Sequence, residues 1–212
     1  MFHTLNNCSK TTEKLKSKNI LITGASGLIG KQLTHLLQLH GYVVSHLGRK
    51  KSSGNIRSYV WNIDQHELDH EALQANSTII HLAGAGVADK PWTPQRKKEI
   101  LESRTHSTRL LFDSLKQENH AVETVICASA IGYYGFHDDP RALHEDDAPG
   151  TDYLADVVKQ WEHEANAIET LGIRLVKIRI GVVLSNNGGA LPEIAKPVRY
   201  YAGAALGSGL QY

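Results

Sequence analysis

A doubly wound α/β fold with a mostly parallel sheet is what this sequence predicts, on three observations. A short apolar run enters a glycine-spaced turn at residues 24–30 and leaves it as a segment of helical period. Further short runs rich in β-branched residues follow along the chain. Between them lie amphipathic stretches of helix length, and strands alternating with such helices assemble into a parallel sheet through right-handed crossovers.

The first strand is carried by Ile20, Leu21 and Ile22, and Thr23 leads into the glycines Gly24, Gly27 and Gly30, spaced G-x-x-G-x-x-G. Strand, glycine turn and helix in that order form the context in which a glycine fingerprint signals dinucleotide binding. Gly24 permits the tight turn, Gly27 lets a pyrophosphate approach the backbone, and Gly30 lets helix and strand pack closely. The helix, marked by Leu28, Ile29, Leu33, Leu36 and Leu37, offers unpaired N–H groups and a positive dipole end to phosphate. Gly24, Ser26, Gly27, Leu28, Ile29 and Gly30 are therefore candidate cofactor contacts.

The second strand, Tyr42 to Leu47, ends at Gly48-Arg49-Lys50-Lys51. NAD-binding folds place a carboxylate at this position for the ribose 2′-hydroxyl. Three cations there would instead neutralise a 2′-phosphate, Arg49 bidentately. Gly48, Arg49 and Lys50 join the candidates and favour NADP(H) over NAD, with a solvated basic turn as the plain alternative. Ser58 to Trp61 reads as a third strand and Thr78 to Ala83 as a fourth. In the helix that follows, Thr93 caps, Pro94 suits the first position, and Ile100, Leu101, Thr108, Leu111 and Leu115 share a face. Arg104 falls on that apolar stripe, and a charge there needs a partner; a structural ion pair is one such partner. Thr124 to Ser129 is the fifth strand. Asp152 caps a helix with Leu154, Val157, Val158, Trp161, Ala165 and Ile168 on one stripe, Gly172 ends it, and Ile173 to Ile180 is the sixth strand.

His66-Glu67-Leu68-Asp69-His70 matches H-E-x-x-H, in which two histidines one helical turn apart bind zinc and the glutamate activates water. No apolar stripe accompanies it and no third ligand is assignable, so a solvated surface helix without metal is expected. The formal charge of +1, from 23 basic and 22 acidic residues, implies no polyanion field, and hence no nucleic-acid partner. Two cysteines, Cys8 and Cys127, argue against a disulfide framework. No apolar run is long enough to span a membrane. Residues 1–18 read as a polar extension without signal-peptide character, and a cytoplasmic location is expected. Asn7 and Asn76 head glycosylation patterns that are chance matches without secretion. The chain stops at Gly207-Ser208-Gly209-Leu210-Gln211-Tyr212 with no closing helix or strand, so residues 19–212 are expected to be a dinucleotide-binding Rossmann domain truncated at its C-terminal end.

Taken together, TGASGLIG (23–30), HLAGAGVADKPWT (81–93), ESRTHSTRLL (102–111), SAIGYYG (129–135), KQWEHEA (159–165), RIGVVLSNNGGAL (179–191) and GSGLQY (207–212) resemble the atypical extended short-chain dehydrogenases/reductases. This is the NAD-dependent epimerase/dehydratase-like group also called epimerase family proteins, some members of which carry the label of cell-division inhibitor. The resemblance implies NADP(H) across the carboxyl ends of the strands, with Leu82, Ala83 and Gly84 after the fourth strand and Val183 after the sixth near the nicotinamide. It also implies a place for Arg104 in the cofactor pocket, with Glu99 nearby, and for Asp64 against the adenine amino group, a helix cap being the equal alternative for Asp64. It further implies a C-terminal substrate lobe that this chain lacks.

Relatives with hydride chemistry use Ser, Tyr and Lys, the last two spaced Y-x-x-x-K. Ser129 fits the serine. Tyr153 opens the right helix, but Val157 stands four residues on and Lys159 six, about 240° around the helix and pointing away. The relay is therefore absent or rebuilt, with Tyr133, Tyr134 and Tyr153 as replacement candidates. Three readings stay open: an oxidoreductase or epimerase acting on a small carbonyl or sugar-nucleotide substrate, a non-catalytic NADPH-binding or regulatory protein, and an inactive truncated product. A homodimer is compatible with the chain.

Overall fold

The computed structural model describes residues 19–51, 54–136 and 141–203. Seven strands form one sheet in the order β4-β3-β2-β1-β5-β6-β7. They are β1 (Asn19–Thr23), β2 (Val43–Gly48), β3 (Ser58–Asn62), β4 (Glu67–Leu68), β5 (Thr78–His81), β6 (Thr124–Ala130) and β7 (Arg174–Ile180). All neighbours are parallel except β3 and β4. The helices are α1 (Leu28–Leu39), α2 (Glu71–Ala75), α3 (Pro94–Gln117), α4 (Tyr153–Asn166) and α5 (Ala190–Arg199). The strand order reverses between β1 and β5, so a crevice opens there at the carboxyl ends of the strands, where ligands of open α/β sheets bind.

Over the central strands β1 and β5 both faces of the sheet are covered, which is why those strands are apolar runs rather than alternating ones, whereas β7 buries none of its residues. Leu21, Leu47, Ile79 and Val125 point to one side and pack with Leu110, Leu111 and Leu115 of α3. Ile20, Ile22, Val44 and Ile80 point to the other and meet Leu33 and Leu37 of α1. The caps follow the sequence: Thr93 accepts from the Arg96 amide, Asp152 from the Ala155 amide, and Gly172 ends a 3-10 turn with φ 75°. At the far edge, β7 pairs with β6 alone among the described residues, and α5 buries none of its residues.

Three expectations need correction. The His66–His70 segment is not a helix. His66 takes φ 58°, Glu67 and Leu68 pair antiparallel with Asn62 and Trp61, and Leu68 is buried in the core. Non-local strand pairing overrides the local pattern here. His66 faces Asp113 at 3.0 Å and His70 faces Glu118 at 3.4 Å. Among the described residues no group of three His, Cys, Asp or Glu is arranged to hold a metal ion. Asp64 lies exposed in the turn before β4, so it caps no helix. The fourth strand ends at His81, beyond which the Leu82 amide is shared between the Thr23 carbonyl and hydroxyl and the Ala83 amide goes to the hydroxyl. Asn76 is buried and bonded to Ser45 and Ala72, which closes that glycosylation pattern to an acceptor role. Cys8, Asn7 and the 207–212 motif lie outside the described residues.

Candidate functional site

The turn after β1 is built by its glycines. Gly24 takes φ 68°, and a Cβ there would stand 2.7 Å from the Leu82 carbonyl oxygen. The first loop and the loop after β5 can touch only because that atom is missing. A Cβ on Gly30 would lie 2.6 Å from Ala25 Cα, so α1 is seated directly on the turn. Gly27 caps α1 without a side-chain bond, and Lys31 N–H to the Gly27 carbonyl is the first bond of the helix. The amides of Leu28, Ile29 and Gly30 therefore have no intrahelical acceptor, and no acid sits in the first turn to compete for them. Ser26 and Gly27 are exposed above this helix end. Such an end is an anion seat.

Across the crevice, Leu82 and Ala83 donate to Thr23 Oγ1 at 3.1 and 3.2 Å, which fixes the β5 loop against β1. Gly84 then faces the side chain of Arg104, whose Cγ and Cζ lie 3.2 Å from a Cβ placed on Gly84. Arg104 donates to the carbonyls of Ala85 and Ile100 at 3.0 and 2.9 Å and lies over the Trp161 ring at 5.3 Å. Among the described residues no carboxylate pairs with it, so the ion-pair alternative does not hold. Burial pulls its guanidinium below the usual range, the mark of a charge without a counter-ion. Val183 enters the same region, because the short hairpin of β8 (Leu184–Ser185) and β9 (Gly188–Gly189) returns to α1. A Cβ on Gly189 would lie 3.2 Å from Leu28 and 3.3 Å from the Val183 carbonyl.

β2 ends at Gly48, and Arg49 and Lys50 follow it, both exposed. The first turns of α3 face the same mouth. Glu99 pairs with Arg96 at 2.7 Å, and that bond, with Lys90 and Arg49 acting at longer range, holds its carboxyl below the usual carboxylate range. Glu99 is thus engaged by protein cations, whereas the guanidinium of Arg104 is not.

At the carboxyl end of β6 the arrangement departs from a Ser–Tyr–Lys relay. Ser129 is buried and donates to Glu162 Oε1 at 2.5 Å. Glu162 is held bidentately by Arg179 Nε and Nη2 at 2.9 and 3.0 Å. Arg179 Nη1 also donates to the Tyr134 hydroxyl at 2.9 Å, and its guanidinium lies 3.5 Å over the Tyr133 ring. Burial would raise the Glu162 carboxyl, but the bonds from Arg179 and Ser129 outweigh it and leave it lowered. Tyr153 turns elsewhere: its hydroxyl donates to the Lys97 carbonyl at 2.9 Å and its ring meets Trp92. Burial raises the Tyr153 phenol.

The side chains of α4 that do face the loop after Ser129 are Leu154 and Val158, 3.5 and 4.0 Å from a Cβ placed on Gly132. They stand four residues apart, the Y-x-x-x-K spacing, and both are aliphatic. Sequence reasoning placed these two on a core stripe and missed Glu162 and Arg179. The available signal was Arg179, a charge inside an apolar strand run, which the sheet register sets opposite Ser129.

A family model described as the NAD dependent epimerase/dehydratase family matches residues 20–195. An epimerase family protein of Staphylococcus aureus strain NCTC 8325 is 37% identical over 203 residues, covering 92% of this chain and 65% of the relative. One of Staphylococcus saprophyticus is 38% identical over 198 residues with the same coverage. The chain thus spans just under two thirds of the length of these relatives. A nucleoside-diphosphate sugar epimerase from Corynebacterium glutamicum superposes with TM-score 0.75 at 32% identity, over 90% of this chain and 39% of that one. The human epimerase family protein SDR39U1, isoform 2, with NADPH superposes with TM-score 0.74 at 26% identity, over 91% and 63%.

Proposed function

This chain belongs to the NAD dependent epimerase/dehydratase family, and from that premise we propose that it binds NADP(H) as an epimerase-like oxidoreductase acting on a small carbonyl or sugar-nucleotide substrate. The observation that carries the reading is the pairing of an uncapped α1 N-terminus, approached through Gly24 and Gly27, with the unneutralised Arg104 across the crevice. The Leu28, Ile29 and Gly30 amides would hold the pyrophosphate, with Ser26 beside them. Arg104 supplies a positive charge next to Gly84. Arg49 and Lys50, at a position without an acid, take the 2′-phosphate, and Gly48 lets the chain turn there. The human relative with NADPH supports this choice. Leu82, Ala83 and Val183 line the nicotinamide half. When bound, the cofactor supplies the hydride that is gained or lost.

A second reading is favoured by a specific observation: the α4 side chains beside Gly132, in the loop after Ser129, are Leu154 and Val158, and the Ser129 proton is committed to Glu162. A lowered carboxyl is a poor proton acceptor near neutrality, so in this reading the protein binds NADPH with little turnover. Asp64, Glu99, Tyr134 and Tyr153 keep only peripheral roles in either reading.

Titration of the chain with NADPH and NADH, followed by cofactor fluorescence, tests the proposal. Saturable binding of NADPH at tighter concentration than NADH, lost in Gly27→Glu, is the expected result; no binding of either refutes it. NADPH-linked reduction of a carbonyl panel that disappears in Ser129→Ala would decide for the catalytic reading over the second.

A further inference from the structure

His81 is fully buried on β5, directly beneath the crevice, and no role has yet been assigned to it. Its Nδ1 lies 2.8 Å from Thr23 Oγ1, and its Nε2 lies 3.1 Å from Thr108 Oγ1 and 3.5 Å from Ser107 Oγ. The direction of each bond follows from counting donors and acceptors. Thr23 Oγ1 already accepts the Ala83 amide and shares the Leu82 amide with the Thr23 carbonyl, 3.2 Å from the same nitrogen, so both its lone pairs face N–H donors. The Thr23 proton must therefore go to His81 Nδ1, which makes Nδ1 an acceptor and puts the ring proton on Nε2. Nε2–H then donates to Thr108 Oγ1, and the Thr108 hydroxyl donates to the Arg104 carbonyl at 2.8 Å.

We infer that His81, as its Nε2–H tautomer, is a positioning residue that joins the glycine turn and the β5 loop to the α3 turn carrying Arg104 through one unidirectional hydrogen-bond chain. The inference rests on the dinucleotide reading above and adds to it a reason why the two sides of the crevice stay in register. The Arg104 turn is fixed twice. Its backbone is held through Thr108 and His81, and its side chain through the Ala85 carbonyl at 3.0 Å. The Ala85 amide is in turn tied to Ser103 Oγ at 3.0 Å. A chain with all lone pairs and protons assigned has no second arrangement of equal energy, so the phosphate seat and the guanidinium share one geometry.

Thr108 is the place to test this, because it touches neither the glycine turn nor the crevice. In the full chain, Thr108→Val is expected to weaken NADPH binding about tenfold, while Thr108→Ser, which keeps the hydroxyl, stays within about twofold of the unaltered protein. Nitrogen NMR of the free protein is expected to show His81 with Nε2 protonated and Nδ1 bare. A protein that binds NADPH equally well with Thr108→Val overturns the coupling and leaves the dinucleotide reading standing. An Nδ1–H ring overturns the assigned bond direction. An unaltered protein that binds neither NADPH nor NADH removes the dinucleotide reading, and the coupling with it.

Discussion

Acidification should unfold this protein in part through one side chain. Burial among Thr23, Thr108, Ser107 and the edge of the Trp61 ring lowers the His81 imidazole from its ordinary 6.5 to about 4. The groups whose contacts with the ring are described carry no carboxylate that could hold an imidazolium. The sign follows directly. Between these two values the unfolded chain binds a proton that the folded chain does not, so stability is complete above pH 6.5 and falls as pH drops toward 4. At about 1.36 kcal/mol per pH unit, the loss from this group is about 3 kcal/mol, or roughly 6–12 °C in melting temperature for a domain of this size. Urea unfolding between pH 7.5 and 4, compared with His81→Asn, isolates the effect, because the two proteins share every other histidine, including the half-buried His46 that burial also lowers. If the stability of His81→Asn falls with acid as steeply as that of the unaltered protein, the buried neutral imidazole is refuted.

Gly24→Ala should cost about 2–4 kcal/mol, since positive φ and contact with the Leu82 carbonyl combine, whereas Gly41→Ala, at φ 77° with nothing within 4 Å, should cost about 1 kcal/mol; thermal melts compare the two. Arg104→Met should leave the melting temperature of the free protein unchanged or higher, because a cation without a counter-ion is removed, while NADPH affinity falls roughly ten- to a hundredfold by fluorescence titration. Glu162→Ala should destabilise the fold by about 3–5 kcal/mol, as it leaves Arg179 and Ser129 without their acceptor; denaturant midpoints measure it. Cys127 is 1% exposed and burial pushes its thiol up to about 12, so alkylation of the native protein followed by peptide mass mapping should find it unmodified.

Much of the crevice was legible because its signals are local. The glycine spacing placed the turn, the alternation of apolar runs placed the sheet, and Thr93 and Asp152 start their helices as expected, while α4 ends at Asn166 and Gly172 closes the 3-10 turn that follows it. Arg104 was legible as a charge on a stripe of apolar residues, and its partners are backbone carbonyls rather than an acid. The serine end of the site was not legible. Tyr153 looks like a relay residue from its place at the start of α4, yet the helix turns it toward Lys97 and Trp92. Leu154 and Val158 look like core and are the side chains that face the loop after Ser129. One residue of offset along a helix is a rotation of about 100°, and only packing sets its origin.

The linear order of residues by itself determined the doubly wound architecture, the glycine turn that leads into the uncapped start of α1 and the absence of an acid after β2, since each depends on neighbours a few positions apart. The tertiary structure decided that Glu67 and Leu68 pair as a strand, that Ser129 gives its proton to Glu162, and that His81 lies between the hydroxyls of Thr23 and Thr108. Those outcomes depend on groups 27 to 58 positions apart meeting at hydrogen-bond distance, or on a strand finding an edge to pair with. A chain has no periodicity that encodes such meetings; they exist only once the sheet has set its register and the helices have settled on its faces.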